Sequence, residues 1–151
     1  MGFISLWGRK IKSFFAIPAG VKALLFEAYF TALYVKLALL FFPFARVAKW
    51  LGAPQADPLD EISPLGVAQA KKIMFALKLC ERYTPWHLEC YTLSVTGKIL
   101  LNRRKQKGIL YFGFLKEPNG KLKGHAWLKT NSVIVTGGEV HAAYQVHSAF
   151  V

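Results

Sequence analysis

Residues 85–138 read PWHLECYTLSVTGKILLNRRKQKGILYFGFLKEPNGKLKGHAWLKTNSVIVTGG, and the apolar period changes midway. From about Cys90 through Leu93, Gly97, Leu100 and Leu101 the pattern is helical, ending in Arg103, Arg104, Lys105 and Lys107. Cations suit a helix C-terminus, where unpaired carbonyls carry partial negative charge, and Gly108 is the expected stop. Beyond Gly108 the residues turn aromatic and β-branched. Residues 109–115, 124–129 and 133–136 read as strands, separated by turns at 117–120 and 130–132, and residues 140–150 supply a fourth. Helices followed by an antiparallel meander predict an α+β fold, with a helix carrying Cys90 packed on a small sheet carrying His125.

Working outward, Ser63 is the expected N-cap of an earlier helix, with Pro64 at its first position. Val67, Ala70, Ile73, Met74, Leu77 and Cys80 form its apolar stripe, which makes Cys80 a small buried hydrophobe. Residues 52–64, with Pro54, Asp57, Pro58, Asp60 and Glu61, read as a linker. Residues 21–44 are nearly all Leu, Phe, Ala, Val and Tyr, but Glu27 and Lys36 interrupt the run, which leaves uncharged stretches short of the roughly twenty residues that a spanning helix wants. The expectation is a buried helix with those two charges at its wet margins, packed on more than one face or meeting a partner or lipid along one. A short basic helix follows over residues 44–51, with Arg46 and Lys49 on its polar side. The division is a helical extension over 1–52, a linker over 53–64 and a core over 65–151, all in one compact unit.

Composition bounds the function. The chain has 151 residues, 54% of them hydrophobic, and a formal net charge of +12 from twenty Lys plus Arg against eight Asp plus Glu. That apolar content is too high for a disordered basic tail, and twenty cations exclude a typical integral membrane bundle. Nucleic acid, an anionic membrane surface and acidic polypeptides compete as partners. Thirteen of the twenty cations follow residue 60, but they are dispersed and accompany no recognition motif, so nucleic acid is not an expected partner. Two cysteines exclude a disulfide framework, and residues 1–12 lack a long apolar run ending at a small-residue cleavage site. A cytoplasmic protein, with peripheral membrane association left open, is the expectation.

The chemistry gathers at Cys90, expected at a helix start, and His125, expected at the beginning of a strand. Thiols attack as thiolates, which a helix N-terminus and a neighbouring imidazolium favour. Helix-borne Cys with strand-borne His is a papain-like arrangement, in which the imidazole would also protonate a leaving amine. For an oxyanion the backbone N–H of Cys90 is the natural first donor. The Trp86 indole is a candidate second, against the alternative of a Trp wedged beneath the helix. Trp127 alternates with His125 and so shares its face, either walling a substrate groove or covering the imidazole. His87, His141 and His147 lack neighbours at metal-ligand spacing, and Gly137-Gly138 is a bend rather than a phosphate cradle, so neither metal nor cofactor is expected.

The words around these residues carry more. Pro85-Trp86-His87-Leu88-Glu89-Cys90, the Leu-rich helix to Arg103-Arg104, Leu110-Tyr111-Phe112-Gly113, Gly124-His125-Ala126-Trp127-Leu128-Lys129 and Val133-Ile134-Val135-Thr136-Gly137-Gly138 closely resemble the leader peptidases of lasso-peptide biosynthesis. Glu27 in its Leu/Ala helix and the stretch from Pro43-Phe44 to Trp50-Leu51-Gly52 resemble that family's helical extension. The resemblance implies a transglutaminase-like, papain-related core with Cys90 as nucleophile and His125 as general base and acid. It implies removal of the leader from a ribosomally made precursor peptide, after which a separate ATP-dependent cyclase closes the macrolactam. Because helices and sheet account for the whole chain, leader recognition is assigned to a separate binding protein. The family's orienting Asp has no counterpart, since no Asp follows Asp60. Glu139 ranks first as substitute because a carboxylate also stabilises imidazolium, Thr136 second, and a backbone carbonyl remains open. The alternative function is a catalytically degenerate papain-like adaptor that holds peptides or a membrane surface.

Overall fold

Small residues set the first packing layer. The structure, a computed structural model, describes residues 15–52, 54 and 63–151. Helix α1 (Ala19–Phe41) buries Leu24, Leu25, Ala28, Thr31, Ala32, Val35 and Ala38 along one face, and the alanines let neighbouring helices approach closely. That face meets α3 (Pro64–Tyr83) and α4 (Cys90–Arg103). After α1 come the short helix α2 (Phe44–Ala48) and a 3-10 turn at Lys49–Leu51. The expected basic cluster at Arg9, Lys10 and Lys12 lies outside the described residues, as does most of the expected linker over 53–64.

Helix α3 begins as its sequence dictates. Ser63 Oγ accepts a hydrogen bond from the Gly66 N–H at 3.3 Å, Pro64 occupies the first turn, and Ala70, Ile73, Ala76, Leu77 and Cys80 are buried. Helix α4 is covered on several sides, by α1 and α3 and by the sheet, so every residue from Thr92 to Lys98 is buried. Gly97 permits this closeness: a Cβ there would stand 2.7 Å from Leu128 Cδ2 and 3.1 Å from Leu77 Cδ1. The helix ends at Arg103, earlier than Gly108, because Lys105 takes left-handed backbone (φ 55°) and Gln106 N–H bonds back to the Leu101 carbonyl.

Four strands follow, β1 (Ile109–Lys116), β2 (Leu122–Thr130), β3 (Val133–Thr136) and β4 (Gln145–Phe150), all antiparallel. The α+β architecture is the expected one, a Cys-bearing helix against a small antiparallel sheet bearing His125. The order β3-β2-β1-β4 departs from a simple meander. Residues 137–144, including a 3-10 turn at His141–Ala143, carry the chain from the β3 edge to the β1 edge. The β2–β3 turn uses Asn131 and Ser132 with φ of 46° and 65°, the backbone signature of a tight hairpin. Asn131 Oδ1 also accepts from the Ser63 N–H at 3.2 Å, tying the hairpin to the start of α3.

Two of the three charges of α1, Glu27 and Lys36, are spent on α4. Glu27 receives hydrogen bonds from Arg103 (3.1 Å) and Arg104 (2.5 Å) at one end of α4. Lys36 reaches the other end, at Glu89. The Arg104 guanidinium, with Arg103 in support, holds the Glu27 carboxyl below its ordinary value against the upward push of burial. A further charge, Lys98, is only 2% exposed and donates to the Gly108 carbonyl, and burial lowers its pKa to about 8.

Two consequences follow for stability. Glu27→Gln should destabilise the fold by about 1 kcal/mol near neutral pH. Because the folded pKa of Glu27 is depressed, its contribution is complete above the unfolded carboxylate pKa and fades as pH falls through the folded value. Thermal unfolding across acid pH should therefore bring the wild type and variant together. Lys98 acts in the same direction at alkaline pH, through a burial penalty that is lifted as its proton leaves. The unfolded chain binds its proton more tightly between pH 8 and 10.5, so Lys98 makes stability rise across that window. Lys98→Met should remove a rise of about 3 kcal/mol measured in denaturant titrations at successive pH values.

Candidate active site

The start of α4 is prepared by the loop before it. Glu89 has extended backbone at the N-cap, and Cys90 is the first helical residue, so its amide N–H has no intrahelical acceptor. Lys36 Nζ donates to the His87 carbonyl at 2.8 Å and to the Glu89 carboxylate oxygens at 3.0 and 3.1 Å. Thr92 Oγ1 donates to the same carboxylate at 3.2 Å. Burial pushes the Glu89 carboxyl up, but its own backbone N–H, Lys36 and Thr92 outweigh that and hold it below the ordinary value. The anion next to Cys90 is thereby matched by a cation from α1.

One turn further along, Ser94 joins the helix to both neighbouring strands. Its Oγ donates to the Ala126 carbonyl at 3.2 Å and lies 2.7 Å from Thr136 Oγ1. Ser94 has one proton, and the carbonyl needs it, so Thr136 is the donor of the second bond. Ala126 adjoins His125 in sequence, so Ser94 links the placement of Cys90 on α4 to that of His125 on β2. Thr136 is committed to Ser94.

His125 takes a backbone partner. Its Nε2 lies 2.9 Å from the Gly137 carbonyl. A carbonyl only accepts, so Nε2 carries the proton and Nδ1 presents its lone pair. Gly137 has φ of 69°, and a Cβ there would stand 2.5 Å from the Ala126 carbonyl and 2.9 Å from Nε2 itself. Glu139, ranked first in the sequence as the orienting residue, is exposed and makes no hydrogen bond to the ring, because the chain turns at Gly137 and offers its carbonyl instead. The ring stacks on Trp127 (centroids 6.0 Å, interplanar 22°) and packs against Tyr144 at 4.9 Å.

Cys90 and His125 line two cavities in common. One, of about 520 Å³, is bounded by Lys78, Glu81, Leu88, Gly138 and Glu139 among others. The second, of about 560 Å³, is walled by Leu39, Phe44, Phe112 and Phe114. Among the described residues no hydrogen bond joins Sγ to the ring, a looseness common before substrate arrives. The other thiol is unsuited to nucleophilic work: Cys80 is fully buried, and burial, with Glu81 second, pushes its pKa up to about 11. Trp127 is 5% exposed, sandwiched between His125 and Tyr111, so it covers the imidazole and does not wall a groove. Trp86 lines neither cavity. Its ring packs on Tyr29 of α1 at 5.3 Å and its indole N–H is buried without a partner, which fits the wedge rather than the oxyanion donor.

The sequence singled out Cys90 and His125, which line the same two cavities, but not Lys36, Ser94 or the Gly137 carbonyl. Lys36 had a signal, a cation in the middle of an apolar run nine residues from the helix's one acid. A backbone acceptor leaves none. Gly137→Ala should lower stability by about 1–3 kcal/mol through left-handed strain and crowding of the ring. It should also blur the Nε2–H tautomer of His125 in nitrogen NMR spectra, whereas Glu139→Gln should leave that signature unchanged.

A family model described as transglutaminase-like superfamily matches residues 32–149. The match begins inside α1 and ends inside β4, taking in Lys36, Cys90 and His125. No curated protein and no solved structure matches the chain.

Proposed function

Because the chain belongs to the transglutaminase-like superfamily, which includes cysteine peptidases, we propose that it is a cysteine peptidase that removes the leader of a lasso-peptide precursor. The observation that carries the peptidase reading is a half-buried thiol at a helix start and an imidazole on the adjoining strand, lining the same cavities. The precursor class rests on the sequence words around Cys90 and His125. The partners this reading calls for are the precursor peptide, a separate leader-binding protein and an ATP-dependent cyclase that acts afterwards.

In the proposed reaction Nδ1 of His125 takes the Cys90 proton, and Sγ attacks the carbonyl carbon of the scissile amide. The Cys90 backbone N–H donates to the oxygen that becomes negative. Collapse breaks the C–N bond, and the imidazolium gives its proton to the departing amine of the core peptide. Water then attacks the thioester, His125 accepts its proton, and the leader leaves as a carboxylic acid with the thiol restored. The Gly137 carbonyl keeps Nε2–H pointing away, so the same ring nitrogen serves in both halves. It supplies orientation without the full charge that a carboxylate would place beside the imidazolium.

A second reading, an adaptor that holds peptides without turnover, draws on that missing carboxylate. The two readings part on the thiol. Cys90→Ala should reduce leader release from a precursor by at least about a thousandfold, with little change in melting temperature. Wild-type Cys90 should react with iodoacetamide faster than an unstructured cysteine near neutral pH. Undiminished cleavage by the Ala variant sinks the assignment, and ordinary thiol reactivity favours the adaptor.

A further inference from the structure

The outer face of α1 presents Ala19, Ala23, Phe26, Phe30, Tyr34, Leu37 and Phe41 in turn, at helical spacing. Leu40 joins this stripe, and Phe30, Leu40 and Phe41 are 63%, 70% and 77% exposed. A helix of 23 residues makes the stripe about 34 Å long. Only Tyr34 among its exposed side chains can form a hydrogen bond, and that ring stacks on Trp50 at 5.5 Å. Protein interfaces need about one hydrogen bond per 100–200 Å², which this face cannot supply from side chains. Lipid asks for none, and paired Tyr and Trp rings suit the boundary between water and acyl chains.

Charge points the same way. Residues 1–52 hold seven cations and a single acid, Glu27, which is engaged by Arg103 and Arg104 on α4. Lys22 stands near one end of the stripe, and Arg46 and Lys49 follow the other, with Arg46 packed over the exposed Phe42 ring at 5.2 Å. We propose that the outer face of α1 docks on an anionic lipid bilayer, lying in its surface. Length and composition would also let this helix cross a membrane. Its inner face, however, is buried against α3 and α4, and the ion pairs of Glu27 and Lys36 lead into the fold, so it lies on the bilayer with the rest of the domain above it. Leu39 of α1 and Phe44 of α2 also wall the apolar cavity that contains Cys90 and His125, so docking brings that cavity close to the lipid surface.

The experiment is flotation of the full chain with vesicles of phosphatidylcholine alone and of an equal mixture with phosphatidylglycerol, alongside sedimentation equilibrium without lipid. The expected result is binding to the mixed vesicles at least about tenfold tighter than to the neutral ones, weakening as salt is added. Phe30→Glu combined with Phe41→Glu should weaken that binding by at least about tenfold while melting temperature holds, since both side chains are exposed. Arg46→Glu with Lys49→Glu should erase the preference for the anionic mixture. No flotation with either vesicle, equal binding to both, or unchanged binding of the Phe double variant overturns the proposal. So does a lipid-free dimer that the Phe variant dissolves, because the stripe would then be an interface between copies.

Discussion

The fold turns on how α1 holds α4. Two charges of a mostly apolar helix, nine residues apart, reach the two ends of the helix that starts with Cys90: Glu27 at its C-terminal arginines, Lys36 at Glu89 and the loop before it. Partly exposed ion pairs contribute little to stability, on the order of 1 kcal/mol or less. Burial of Leu100, Leu101, Leu77 and Ile73 contributes about 1.5–3 kcal/mol for each side chain and supplies most of what keeps the layers together. The clamps decide placement instead. Apolar packing alone lets a helix slide or rotate between similar arrangements, while a charge fixed at each end selects one register.

That register matters because the site is assembled from elements distant in sequence. The Cys90 thiol depends on the loop pinned by Lys36, and its placement relative to His125 depends on Ser94 bridging Ala126 and Thr136. The imidazole depends on a left-handed Gly137 whose carbonyl fixes the tautomer. Each of these bonds connects elements from different parts of the chain. The helical extension therefore contributes to the site itself, and the family match beginning inside α1 agrees with that.

Much of this was legible beforehand. Ser63-Pro64 announced a helix start, Asn131-Ser132 a turn, and the change from helical to alternating pattern at Gly108 the passage from α to β. Those signals are local, set by the residue and its near neighbours. The order of the strands was not legible, because β4 pairs with β1 through contacts that no local pattern encodes. Nor was the true helix stop, where a Lys takes the left-handed conformation usually given to Gly. The imidazole's partner was hidden for a related reason: a side-chain candidate such as Glu139 can be read from sequence, while a carbonyl exists at every residue. Lys98, which periodicity does not mark as buried, is enclosed because α4 is covered on several sides.

The central claim is that Lys36 on α1 prepares Cys90 by pairing with Glu89, and a double-mutant cycle read out by the alkylation rate of Cys90 tests it most directly. Lys36→Met leaves the Glu89 carboxylate unmatched beside the thiol and should slow alkylation severalfold. In a Glu89→Gln background, where that charge is gone, the same substitution should have much less effect. Equal effects of Lys36→Met in both backgrounds, or none in either, would contradict the account.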